Sequence, residues 1–442
     1  MGNHRDLWVH LHFWYLSNAG SALTIISSHS SLNVITAIMT ISTATASPSG
    51  AALNKRRTIA YYAMFIALGL AVAALGPTLP GLAANTHSTL SAISILFTMQ
   101  ALGSLIGSLS SGRWYDRAPA HIFLAGVIIV LALMLALMPL MTTITVLALI
   151  VFVIGMAGGS IDVGGNTLLI WLFKDGVGPY MNALHFFFGV GALLSPLFIA
   201  RVIALGGGIT GAYWLLASLL IPAVLLLLRL PSPRIPYQTD GDAATHPRWL
   251  LVFLIAAMFF FFVGAELSYG GWIYTYALSL GLATITTAGY LTSLFWGALT
   301  LGRLVNIPVA ARVRPRYMLM ADIGGLALSL LLLLFWPAST SIIWIATFGM
   351  GFAMASAFAT LMGLGEHHIA VTGKITSLFF VGSSLGSMTI PWLIGQFFEP
   401  YGAQSMILWI MATVLAAAVT LAIFLWMIRT ESPTKIEHHN IG

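Results

Sequence analysis

The chain has 442 residues, 59% hydrophobic and 7% charged, with 18 Lys and Arg against 12 Asp and Glu and no Cys. A soluble domain carries about 25% charged residues, so the composition excludes a water-soluble globular protein and makes lipid the main solvent. The absence of cysteine excludes disulfides, thiolate metal sites and cysteine nucleophiles, and the basic residues form no soluble patch of the kind nucleic acid needs.

Residues 1–57 stand apart, rich in Ser, Thr and His with only short apolar runs. They are expected to be a disordered tail or an over-extended start. Leu32 to Ala46 resembles a signal peptide only loosely, because Lys55-Arg56-Arg57 would then open the mature chain. Apolar blocks follow at 58–82, 91–111, 121–140, 144–172, 179–202 and 210–230. A Pro-rich polar segment, 231–248, is the expected cytoplasmic linker. Six more blocks lie at 249–280, 286–308, 317–336, 341–364, 374–397 and 403–428, before a tail at 430–442. Blocks this long and apolar must be helices, since lipid leaves no other partner for the backbone. They lack the alternation of barrel strands. The expected fold is therefore an all-α membrane protein with twelve spanning helices in two six-helix bundles, 58–230 and 249–429.

The basic residues orient these helices. With the start of the first helix placed in the cytoplasm, sixteen of the eighteen Lys and Arg fall in inside segments. Arg201 falls near the outer face, and Arg5 lies in the initial tail. A missed or extra helix would invert every later loop, so the positive-inside rule supports the even count and puts both ends of the bundle inside.

Few polar groups interrupt the apolar blocks. Asp162 sits within the fourth, in Gly158-Gly-Ser-Ile-Asp162-Val-Gly-Gly-Asn166, and Glu266 within the seventh. An acid at the bilayer centre costs roughly 2.5–3.5 kcal/mol on insertion scales, so it faces a cavity or a partner. Each acid is open to two readings: a cation- or proton-exchanging group, or a structural acid satisfied by a neighbouring helix. Asn166 lies at i+4 from Asp162 and shares its helix face. Asn182 and His185 share a face at the start of the fifth helix. A membrane-buried His can hold substrate hydroxyls, relay protons or pair with backbone. Asp322, near the cytoplasmic start of the ninth helix, reads as structural. Tyr269, Trp272, Tyr274, Tyr276 and Trp296 cluster in the seventh and eighth helices. Trp272 is the candidate for stacking on a sugar ring, while Tyr274 and Tyr276 read as an interfacial belt. Glu366-His367-His368 reads as a solvated turn, because adjacent residues on a helix point apart.

The loop after the second helix reads Gly107-Ser-Leu-Ser-Ser-Gly112-Arg113-Trp-Tyr-Asp116-Arg117. Its spacing resembles the cytoplasmic loop signature of the major facilitator superfamily, with Pro119-Ala120-His121 in place of the usual basic ending. Gly112, Arg113, Asp116 and Arg117 are open to two readings: a gating cluster, which the resemblance implies, or an ordinary charged turn that obeys topology. Gly302-Arg303-Leu304 is a weak echo in the second half. Four further stretches resemble the fucose-permease-type branch and its sodium-dependent glucose transporter-like relatives: Gly76-Pro-Thr-Leu-Pro80, Asp162-Val-Gly-Gly-Asn166, Asn182-Ala-Leu-His185-Phe and Gly264-Ala-Glu266. That branch implies a sugar site near Asp162 and Asn166, with cation coupling at the acid, and places His185 where the fucose permease has a substrate-contacting Gln. The permease's first-helix acid has no counterpart, since residues 58–82 contain no Asp or Glu.

These readings converge on a secondary transporter in the cell membrane, moving a small polar solute, expected to be a sugar, by alternating access. Substrate contacts are expected from Asn166, Asn182, His185, Glu266 and Trp272, and coupling to a proton or sodium from Asp162 and Glu266. The alternatives are a proton-driven exporter of amphipathic compounds and a non-transporting receptor. No cofactor, metal, nucleic-acid partner or enzymatic activity is expected, and the chain is expected to work as a monomer.

Overall fold

A computed structural model describes residues 48–115, 119–233, 248–369 and 373–430. Among them, eleven helices are long and apolar enough to cross a membrane, and a bent pair completes a twelfth. The spans, numbered by order, follow the apolar blocks within a few residues except at the start. The first helix, Pro48–Val72, begins ten residues before the expected 58. Its early turns, Ala51-Ala-Leu-Asn-Lys-Arg-Arg, are good helix formers, and a helix can run on beyond the apolar block.

The first, sixth and tenth spans are broken, where the apolar blocks of the sequence run without interruption. The first span bends by 44° between Val72 and Leu75 and continues as Leu75–Asn85. Pro77 has no N–H to give to the preceding turn. The Thr78 hydroxyl donates to Ala74 O at 2.8 Å and lies 2.7 Å from Tyr213 Oη of the sixth span, which holds the bend. The sixth span breaks at Leu220, where Pro222 restarts the helix. The tenth span is split into Thr340–Met354 and Ala357–His368 without any proline. At that break the Ser356 hydroxyl donates to the carboxylate of Asp322 in the ninth span. Asp322 is buried.

Glycines set how closely the spans approach. Gly103 and Gly107 of the second span, Ile95–Tyr115, pack on Phe152 and Met156 of the fourth, Ile144–Phe173, and Gly155 and Gly159 of the fourth pack on Gln100 and Ser104 of the second. A Cβ at Gly103 would stand 2.0 Å from Phe152 O, and one at Gly159 2.1 Å from Ser104 O. Without a hydrophobic driving force in lipid, such small-residue seams give helices their close packing. The second half repeats the device: a Cβ at Gly386 of the eleventh span would stand 2.0 Å from Phe260 O of the seventh. A further seam of this kind joins the first span to the fifth, at Gly69 and Gly191.

Candidate functional site

One end of the bundle carries the basic residues, among them Arg57, Arg229, Arg312, Arg314 and Arg429. At the other end the two halves are sealed together. The Leu90 N–H donates to Glu399 Oε1 at 2.7 Å, and the Ser91 hydroxyl to Gln396 Oε1 at 2.7 Å. The Thr98 hydroxyl reaches Met388 O at 2.8 Å. Gly76 closes against the backbone of Gly270 and Gly271, where a Cβ would stand 2.8 Å from Gly270 O. The bonds join the second span to the eleventh, and the glycine contact joins the first to the seventh.

Below the seal lies a cavity of about 740 Å³. Its lining runs from Gly76, Phe97 and Gly270 at the sealed end to Val313 and Pro315 in the basic turn between the eighth and ninth spans. The cavity therefore opens toward the basic end. Drug-sized ligand sites span about 300–1,000 Å³, so it has room for a small solute.

Polar groups enter this cavity from both halves. Asp162, Asn182 and His185 line it from the fourth and fifth spans, and Gln100 and Ser104 from the second. The glycine seam with the second span and the close approach of Gly165 to the Phe65 ring fix the fourth span, and with it Asp162. The His185 ring meets the edge of Phe65 at 5.7 Å between centroids. Glu266 lines the cavity from the seventh span and Arg303 from the eighth. Their closest charged atoms, Arg303 Nη2 and Glu266 Oε1, are 3.7 Å apart.

Two expected substrate contacts lie elsewhere. Asn166 is outside the lining; its amide donates to Asp162 Oδ1 at 3.2 Å and to Asp162 O at 2.8 Å. The i+4 spacing that put it on the Asp162 face also lets it fold back onto that residue. Trp272 does not line the cavity either. It is fully buried, stacks on Phe398 at 5.0 Å and donates its indole N–H to Pro391 O at 3.0 Å. It anchors the seventh span to the eleventh. Trp296 of the eighth span is the indole in the cavity wall, edge-on to Phe188 at 6.4 Å. Tyr274 and Tyr276 are buried rather than interfacial, and Tyr276 accepts from the Gln404 amide at 3.1 Å. Of the gating-loop residues, Gly112 and Arg113 fall in the last turn of the second span. Asp116 and Arg117 lie outside the described residues.

Sequence reasoning passed over Arg303 as a site residue because Gly302-Arg303-Leu304 was read as an echo of the loop signature. The argument that singled out the acids, an ionisable group inside an apolar block, applies to it equally. Trp296 was visible in the aromatic cluster, but nothing in the sequence separated it from Trp272.

Comparison with known proteins places this architecture. The model of the Major Facilitator Superfamily matches residues 61–391. Sodium-dependent glucose transporter 1A of Mus musculus is 31% identical over 82% of this chain and 93% of its own. Major facilitator superfamily domain-containing protein 4A of Pongo abelii is 27% identical over 80% of this chain and 88% of its own. The crystal structure of the nucleoside transporter NupG superimposes with a TM-score of 0.65 at 16% identity, covering 85% of this chain and 99% of NupG. With two six-helix halves around one cavity, the chain belongs to the Major Facilitator Superfamily and is a multi-pass membrane transporter.

Proposed function

We propose that this protein carries a small neutral polar solute, a sugar, across the cell membrane by alternating access coupled to a cation, sodium or a proton. One observation carries the reading. Asp162 lines a cavity midway along the lipid-embedded spans with an amide, not a basic side chain, as its partner. A carboxylate placed there is costly without a counter-charge, which a bound cation would supply, and Asn182 and His185, which line the same cavity, offer hydrogen bonds to hydroxyls. The gating role of the loop from Gly112 to Arg117 belongs to the same proposal and rests on the family signature.

The basic end is read as cytoplasmic, so the cavity faces inward and the seal of Leu90, Ser91, Gln396 and Glu399 faces outward. The boundaries of the two halves, 58–230 and 249–429, rest on the same reading, with both ends of the bundle inside. The cavity is lined by both halves of one chain, which supports the monomer as the transporting unit. The relatives named as sodium-dependent glucose transporters support sugar as cargo and sodium as the coupling ion. A half-helix or carboxylate site of this kind near the midplane, with the halves moving about it, is how many secondary transporters work.

The test is uptake of labelled D-glucose into proteoliposomes under an imposed sodium gradient, an imposed proton gradient, or neither. Accumulation above equilibrium with one gradient is expected. Equal uptake in all three conditions rejects coupling. A second reading, export of amphipathic compounds, draws on Phe358 and Phe380, which line the cavity and are 38% and 44% exposed. Competition by apolar cations with no competition by sugars would select it.

A further inference from the structure

The cavity contains an unequal charge count. Among the described residues its charged side chains are Asp162, Glu266 and Arg303, with His185 as the remaining titratable group. Glu266 has Arg303 as its partner at 3.7 Å, and both belong to the second half. Asp162 has the Asn166 amide, which supplies hydrogen bonds but no charge. With His185 neutral, the cavity holds one negative charge that the chain itself does not balance.

We infer that Arg303 is a built-in counter-ion that silences Glu266, so that the carrier couples one cation, held at Asp162, to each neutral solute. This rests on the coupled-transport reading above. The physical reason lies in the occluded state. To pass from one side to the other, the cavity must close and shed much of its water. An ionised group without a counter-charge is then costly. Glu266 takes its counter-charge from the neighbouring span on every cycle. Asp162 must receive one with the cargo.

The same count sets the charge of the cargo. A neutral sugar with one cation leaves the occluded cavity balanced. A sugar acid or sugar phosphate would restore a net negative charge, so anionic sugars are excluded as substrates. It also makes Glu266 a latent cation site, present in the fold and blocked by Arg303. Arg303 is therefore a residue that determines coupling rather than one that contacts the solute first.

The experiment measures charge moved per sugar from reversal potentials in proteoliposomes, with D-glucose as the probe. This counts protons and sodium alike. The wild type is expected to move about one charge per sugar and Arg303→Gln about two, because Glu266 then needs a mobile cation. Arg303→Lys keeps one. Glu266→Gln/Arg303→Gln returns to one. A readout independent of transport is the thermal unfolding midpoint of purified protein against sodium concentration. Stabilisation grows with the logarithm of ligand concentration for each site, so in a sodium-coupled carrier the limiting slope doubles in Arg303→Gln, and in a proton-coupled one the charge ratio alone carries the test. An unchanged slope and an unchanged charge ratio in that variant overturn the inference, as does a wild-type ratio of two. A wild type that neither couples nor binds a cation rejects the proposed function. In that case a sodium-dependent slope gained by Arg303→Gln still supports the counter-ion, and no gain overturns it.

Discussion

Replacing Gly103 by Ala adds one methyl group to the seam between the second and fourth spans. That Cβ would stand 2.0 Å from Phe152 O and 2.9 Å from Met156 N, both backbone atoms of the facing helix. Ordinary contact begins at 3.4 Å, so the helices must part by about 1.4 Å at this level. No side chain can rotate away, because the obstacle is backbone. Overpacking of this kind costs about 1–3 kcal/mol. The cost offsets the gain of roughly 1 kcal/mol that Ala brings to a helix over Gly. Gly126→Ala in the third span is the control, since nothing lies within 4 Å of its added Cβ. Thermal unfolding of the purified protein in detergent should show Gly103→Ala several degrees below wild type and Gly126→Ala at or above it. Gly155→Ala should behave like Gly103→Ala and also lower cation-driven uptake, because Asp162 lies two turns further along the same helix. Equal midpoints for Gly103→Ala and Gly126→Ala would refute the seam.

The two indoles should separate cleanly. Trp272→Ala removes a fully buried ring and its bond to Pro391 O, so it should destabilise by about 3–5 kcal/mol, read as loss of folded protein in a detergent melt. Trp296→Leu removes the indole face from the cavity wall but keeps apolar bulk, so it should raise the KM for sugar several-fold with a smaller change in the melt. Asp322→Ala should lower the unfolding midpoint, because it leaves Ser356 at the helix break without its acceptor at about 1–3 kcal/mol. Asp322→Asn, which keeps an acceptor, should cost less. Gln396→Ala removes the bonds to Ser91 at the sealed end and should increase labelling, from the outside, of a cysteine introduced at Ser104 in the cavity wall. The native chain has no cysteine to interfere.

The span count and the boundaries of most helices were readable because lipid permits one solution for a long apolar run. Asp162 and Glu266 stood out for the same reason, as ionisable groups where ionisable groups are costly. Contacts between distant spans were not readable. Trp272 and Trp296 have similar surroundings in sequence, and only the packing shows that one anchors to Pro391 while the other faces the cavity. Asn166 shared a helix face with Asp162 as the period required, yet a shared face does not say whether two side chains point at a ligand or at each other. The break in the tenth span has no proline to announce it; it coincides with a tertiary bond from Ser356 to Asp322. Arg303 shows how a motif resemblance can hide a residue: Gly302-Arg303-Leu304 fits a loop signature, while its side chain lies beside Glu266 in the cavity.

The central claim is that Asp162 couples the solute to a cation, and the Asp162→Asn variant tests it most directly. Labelled D-glucose is followed in proteoliposomes in two modes: exchange at equal concentrations on both sides, and accumulation against a gradient driven by sodium or protons. The account predicts that Asp162→Asn retains exchange and loses accumulation, because the cavity still binds sugar while the cation has lost its carboxylate. Accumulation by Asp162→Asn at the wild-type level would contradict it.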